Sequence, residues 1–265
     1  MGHPTAREFL AERAQQQVGI GGSHDEIVAR EVLLLHGFTH TGASWAPVAG
    51  ALGERYRAIT PDIRGHGDAS HRRPVELEAV VGELGKLPAD GFILAGYSMG
   101  GRLALHVALA DPARIDRLVL IGASPGIEDP QERRARLQGD ERLAEEIQGL
   151  SIEAFARRWA QTPVLAGLPP ALTDRIHRDR LRNDPDGLAQ ALRGLGTGAL
   201  PPVWSRLGEL SMPVTLVVGE RDHKFQAIAS TMASSIPRVQ IVVVPGVGHA
   251  VHLEAPGRVA EIIAG

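Results

Sequence analysis

Six short apolar, β-branched runs recur along the chain, each ending in glycine or turn residues: EVLLLHGF (31–38), YRAITPD (56–62), GFILAGYS (91–98), IDRLVLIGAS (115–124), PVTLVVGERD (213–222) and VQIVVVPGVGH (239–249). Such uniformly apolar runs have no polar face to give to water, so they fit a parallel sheet covered on both sides. Helix-patterned stretches lie between most of them. RLALHVALA (102–110) follows the third run, and HKFQAIASTMASSI (223–236) separates the last two. This rhythm predicts an α/β fold with a mostly parallel central sheet flanked by helices. From about 125 to 207 it gives way to charged, amphipathic segments such as PQERRARLQGDERLAEEIQ, with no strand pattern. Residues 1–124 and 208–265 are therefore expected to form the core, and 125–207 a helical cap over the ends of the sheet. VGIGGSHDEIVAR, before the first run, is expected to supply edge strands or a hairpin.

The bulk numbers narrow the partners. A chain of 265 residues, 43% hydrophobic, can bury a substantial core. Its net charge of −3 gives no general attraction to nucleic acid or an anionic membrane. With no cysteine, disulfides, iron–sulfur clusters and thiolate zinc sites are excluded. No apolar run approaches bilayer length, and MGHPTAREFLAERAQQQ lacks the apolar core of a secretion signal, so the expectation is a soluble cytoplasmic protein.

The third run carries the chemistry. Gly96, Ser98 and Gly100 match G-x-S-x-G, with FILA before and RLALHVAL after. A tight strand-to-helix elbow needs small residues on both sides of the serine, because side chains there would strike the neighbouring strand and helix. An ordinary βα turn with an inert serine is the plain alternative. A serine hydroxyl is a weak base or nucleophile unless a histidine held by a carboxylate takes its proton. Asp222 closes the fifth run and His249 the sixth, giving the order Ser, Asp, His of an α/β-hydrolase fold. Glu220 and His252 compete for these roles. Asp222 is preferred because it lies beyond the strand's end, and His249 because GVGH allows a tight loop aimed at the elbow. In LLLHGF, the backbone N–H of Phe38 would join that of Met99 as an oxyanion hole. PDIRGHGDAS (61–70) reads as a turn-forming loop, and its His-Asp cluster lacks compact metal-ligand spacing.

Arg102 lies in the first turn of the helix behind Ser98, where the helix dipole disfavours a cation. An anion should therefore be near it, either a protein carboxylate or a carboxylated substrate. The cap adds Arg133, Arg134 and Arg136 in one cluster and Arg178, Arg180 and Arg182 in another. Most should sit on solvated helix faces, but one from each turning inward would make a pocket for a polycarboxylate.

LLLHGFTHTGASW, GYSMGGRLALHVAL, IGASPGIEDPQERRARLQGDERLAEEI, LRNDPDGLAQALRGLGTGALPPVW, VGERDHKF and GHAVHLEAP together resemble the 2-succinyl-6-hydroxy-2,4-cyclohexadiene-1-carboxylate synthase family, α/β-hydrolase-fold enzymes of menaquinone biosynthesis. The resemblance runs from about Glu31 to the C-terminus. It implies a lyase that expels pyruvate from a tricarboxylate without cofactor or metal. It also implies that Ser98 is the base, supported by His249 and Asp222. Tyr97, Arg102, Arg136, Trp159 and Arg182 match substrate-binding positions. The implied partner is a small-molecule polycarboxylate, with no nucleic acid or membrane, and the protein would act as a monomer or small homo-oligomer. A carboxylesterase or C–C bond hydrolase working through an acyl-enzyme is the alternative on the same scaffold.

Overall fold

A computed structural model describes residues 29–89, 91–162, 168 and 170–265. Strands β1 (Arg30–Leu35), β2 (Tyr56–Ile59), β3 (Phe92–Tyr97), β4 (Ile115–Ile121), β5 (Val214–Gly219) and β6 (Val239–Val244) form one sheet in the order β2-β1-β3-β4-β5-β6. Every neighbouring pair is parallel. Each of the six apolar runs thus supplies one strand. The expected edge strands or hairpin in 18–30 fall almost wholly outside the described residues.

In chain order the helices are α1 (Ala46–Leu52), α2 (Leu77–Leu84), α3 (Met99–Ala110), α4 (Pro130–Gln148), α5 (Ile152–Trp159), α6 (Pro170–Arg180), α7 (Pro185–Leu195), α8 (His223–Ala233), α9 (Val251–Glu254) and α10 (Pro256–Ala264). Alternate side chains of a strand point to opposite faces, so β1 feeds two cores. Val32 and Leu34 pack with α1 and α10, while Leu33 and Leu35 pack with α2, α3 and α8. Both faces are covered, which is why β3 and β5 are buried at every position. β6 lies at the sheet edge and leaves Ile241 and Val243 exposed.

Helices α4 to α7 lie between β4 and β5 and form the cap. Their charged sequences become helical where the ends are capped. Asp129 accepts from the N–H groups of Gln131 and Glu132 ahead of α4, and Asp184 accepts from Gly187 in α7; Pro130 and Pro185 open those helices. Ala144, Ile147, Phe155, Leu188 and Leu192 give the cap its own small core. Trp159 and Phe38 pack against it, and Phe38, which also packs against the core under the sheet, joins the two.

The end of β1 is fixed by a buried histidine whose geometry demands the neutral ring. Nδ1 of His36 donates to Gly37 O at 2.9 Å, and Nε2 accepts from the Ile63 amide at 3.0 Å. Burial pushes its pKa from 6.5 down to about 4, and burial likewise pushes those of His66 and His252 well below 6.5. Below pH 6.5 the unfolded chain binds protons that the folded chain refuses, so stability is present above that pH and is lost as pH falls toward 4. Urea unfolding is expected to show a loss on the order of 3 kcal/mol across this window, larger than any change between pH 7 and 8. A flat profile from pH 7 to 4.5 would contradict the neutral, buried assignment.

Candidate active site

The chain turns sharply between β3 and α3. Ser98 adopts φ +52°, a left-handed conformation that L side chains rarely hold. Its amide is anchored to Ile121 O on β4 at 2.9 Å, and its carbonyl accepts from Arg102 N at 3.0 Å. A Cβ on Gly96 would strike the Gly100 backbone, and one on Gly100 would strike the backbone of Leu35 and His36. The glycines therefore let helix and strand approach closely enough to force the elbow.

Asp222 lies just past β5 and His249 in the loop after β6. Nδ1 of His249 donates to Asp222 Oδ2 at 2.6 Å, while Asp222 Oδ1 accepts from the Phe225 amide and caps α8. The imidazole is held between the rings of Phe225, at 4.5 Å, and Tyr97, at 5.2 Å. Gly122 lies against its Cε1, where a side chain would collide. The competing residues have other work. Glu220 accepts from the Gly246 amide and closes the turn before His249. His252 is wholly buried beside Tyr97 and Trp45.

Ser98, Phe38 and Met99 line one cavity of about 140 Å³, with Arg102, Arg136 and Trp159. Met99 opens α3, so its amide has no intrahelical acceptor and is free for a ligand. Phe38 meets the Trp159 ring edge-on at 5.4 Å, and these two rings with Leu143 and Leu192 make the apolar wall. Arg102 reaches into the cavity from α3. Its Nε is buried without a partner, and burial, aided by the Arg136 guanidinium, pushes its pKa from 12.5 down to about 10. Asp140, the carboxylate that acts electrostatically on Arg102, already accepts from Arg136 Nε at 2.7 Å and the Gly198 amide at 3.3 Å. Tyr97 lies outside this lining, its ring packed against His249 and His252, and burial pushes its hydroxyl pKa up, keeping it neutral. Among the described residues no group of three or more His, Cys, Asp or Glu side chains is gathered as a metal site, and no helix is long and apolar enough to cross a membrane.

Residues 32–262 match the Alpha/beta hydrolase family. A Bacillus subtilis (strain 168) protein provisionally named 2-succinyl-6-hydroxy-2,4-cyclohexadiene-1-carboxylate synthase is 38% identical, over 88% of each chain. The protein of that name from Enterobacter sp. (strain 638) is 32% identical over 88% of this chain and 90% of its own. The chain belongs to this synthase family of alpha/beta hydrolases. The solved structure of MenH from S. aureus superposes with a TM-score of 0.84 at 30% identity, covering 88% of this chain and 91% of that one.

Within this synthase-family chain, two expected substrate residues, Tyr97 and Arg182, do not line the cavity that holds Ser98. Arg182 is exposed and lines a separate cleft with Asp62, Asp68, Arg72 and Glu83. Arg180 is the buried arginine of this run, though it too lies outside that lining: it is 2% exposed, its Nε donates to Thr39 Oγ1 at 3.2 Å, and its Nη2 is buried without a partner. Burial pushes its pKa down to about 10. The reason is geometric. Arg180 is the last residue of α6 and packs under the loop at Thr39, whereas Arg182 lies in the turn beyond the helix end and is exposed. The arginine-rich run HRDRLRND is visible in the sequence as a cation source, but the packing that buries Arg180 is not.

Proposed function

We propose that this enzyme eliminates pyruvate from 2-succinyl-5-enolpyruvyl-6-hydroxy-3-cyclohexene-1-carboxylate to give 2-succinyl-6-hydroxy-2,4-cyclohexadiene-1-carboxylate. The observation that carries the reading is Arg102, buried at its Nε without a partner in the same cavity as Ser98, with Arg136 beside it. A desolvated guanidinium lacking its own carboxylate is costly, and an anionic ligand supplies what the protein withholds. Arg102, Arg136 and Arg180 together suit a substrate with three carboxylates, whereas a neutral ester needs none of them.

In this reading Ser98 Oγ removes a ring C–H proton. The pair released at C2 forms the C2=C3 bond, the existing C3=C4 pair shifts to C4=C5 as the C5–O bond breaks, and the departing enolate, which keeps that bond's pair, takes a proton on its CH2 carbon from the His249 imidazolium or water to become pyruvate. His249, held by Asp222, takes up the serine proton and so makes Oγ a competent base. The Phe38 and Met99 amides stabilise the negative charge that develops. The arginines fix the proton within reach of Oγ, and no covalent intermediate is required. A cytoplasmic setting, with the charged substrate in free solution, fits this chemistry.

The His249–Asp222 pair and an elbow serine equally suit an acyl-enzyme, so a carboxylesterase or C–C bond hydrolase is the second reading. Pyruvate release from the enolpyruvyl cyclohexene substrate, generated in situ by its upstream synthase, tests the proposal beside p-nitrophenyl acetate cleavage. Fast pyruvate release with little ester cleavage supports the lyase. Release at the uncatalysed rate with brisk ester cleavage assigns the hydrolase. In the same assay Arg180→Ala is expected to raise KM by about 10-fold or more, the scale of a lost charge-assisted pair, while Arg182→Ala stays within about 2-fold of wild type. The reverse order would return the third carboxylate to Arg182.

A further inference from the structure

The loop that carries Phe38 does not hold its own shape. Thr39 sits at φ +68°, a conformation that costs a non-glycine residue free energy and persists only under external constraint. That constraint comes from the cap. At the end of α6 Asp179 accepts three hydrogen bonds: from the Thr41 amide at 3.1 Å, the Thr41 hydroxyl at 2.5 Å and His40 Nδ1 at 3.1 Å. Asn183 Nδ2 donates to Thr39 O at 2.9 Å, and its Oδ1 accepts from the Gly67 amide at 3.1 Å. All of these side chains are buried. Burial alone would raise the Asp179 pKa, but the bonds from His40 and Thr41 outweigh it and keep the carboxylate ionised.

These contacts bear on one amide. Phe38 N–H and Gly37 C=O belong to the same planar peptide group, so fixing the carbonyl fixes the direction of the N–H. Gly37 O accepts from His36 Nδ1 at 2.9 Å and from His40 N at 3.1 Å. His36 belongs to the core, but His40 is held through its ring by the cap residue Asp179. Asp179 therefore connects through His40 to Gly37 O and thus to the orientation of the Phe38 amide. We propose that Asp179 and Asn183 are positioning residues that set the Phe38 amide for charge stabilisation, so that the oxyanion hole is complete only when α6 is seated on the loop. Because Arg180 lies between them with its Nε on Thr39 Oγ1, the guanidinium that would take a substrate carboxylate is part of the same latch.

The inference rests on reading Ser98 as an activated serine served by the Phe38 and Met99 amides, and it holds for either the lyase or the hydrolase. Its test therefore uses a probe that needs no knowledge of the natural substrate. A fluorophosphonate reacts with an activated serine and places its phosphoryl oxygen in the oxyanion hole. Labelling rates of Ser98 are measured for wild type, Asp179→Ala, Asp179→Asn, Thr41→Val and the Asp179→Ala/Thr41→Val double variant, beside pyruvate-release kinetics and thermal unfolding. Asp179→Ala is expected to slow labelling and kcat by about 30-fold, and Thr41→Val by about 5-fold, the scale of a misdirected oxyanion donor, with KM within about 3-fold. The double variant should be no slower than Asp179→Ala, because both act through one carboxylate. Asp179→Asn keeps an acceptor oxygen and should recover most of the loss. If Asp179→Ala does not fold, Thr41→Val carries the test alone. Wild-type labelling in these variants, with or without a lower Tm, makes the latch merely structural and overturns the proposal. A wild type that is labelled but releases no pyruvate sinks the lyase reading while leaving the latch to be judged by labelling. A wild type that is not labelled overturns the latch.

Discussion

Ser98→Ala is expected to lower kcat for pyruvate release by about 10³-fold with KM changed less than about 3-fold, because the proton acceptor is lost while the groups that hold the carboxylates remain. The elbow makes this a clean experiment. Ser98 is pinned at φ +52° by its amide bond to Ile121 O and by close packing around Gly96 and Gly100, none of which involves the hydroxyl. Alanine inherits the strained backbone, so Tm should not move beyond a degree or two. Ser98→Gly should be as inactive as the alanine variant but more stable by roughly 1 kcal/mol, since glycine adopts that conformation without penalty. Near-normal turnover by Ser98→Ala would exclude serine as base and as nucleophile together, and would move the catalytic base to another residue.

Arg102→Ala is expected to lower kcat/KM by about 100-fold, and Arg102→Lys by about 10-fold, because lysine restores the charge but not the planar fork that meets a carboxylate at two points. The stability readout separates this from a structural role. An arginine that closes a protein ion pair leaves a bare carboxylate when removed, and the fold weakens. Here Asp140 already has Arg136 and the Gly198 amide, while Arg102 Nε has no partner. Deleting Arg102 should therefore leave Tm unchanged or raise it, even as catalysis collapses. A stable variant with wild-type kinetics would remove Arg102 from the substrate site, and a much less stable one would make it a structural cation.

Several features could be read directly from the chain because they are local. Uniform apolar runs such as GFILAG and VTLVVG can satisfy both of their faces only inside a covered parallel sheet, and each run formed its strand. The elbow was legible because the small residues it needs are adjacent in sequence to Ser98. Asp222 and His249 could be singled out because each follows a strand's end, and parallel strands bring their C-terminal ends to one side of the sheet. Their 2.6 Å contact spans a separation that sequence distance does not reveal.

What the sequence by itself determined is the six-stranded α/β framework, the elbow at Ser98 and the supply of arginines, since each depends on periodicity or on neighbouring residues. Tertiary structure decided which arginine is buried, because the end of α6 packs Arg180 against Thr39 while the turn that follows leaves Arg182 in solvent. It also decided that Asp179 and Asn183 hold the loop at Thr39 and Thr41, residues about 140 positions away, because hydrogen bonds between distant segments exist only once both are packed in place.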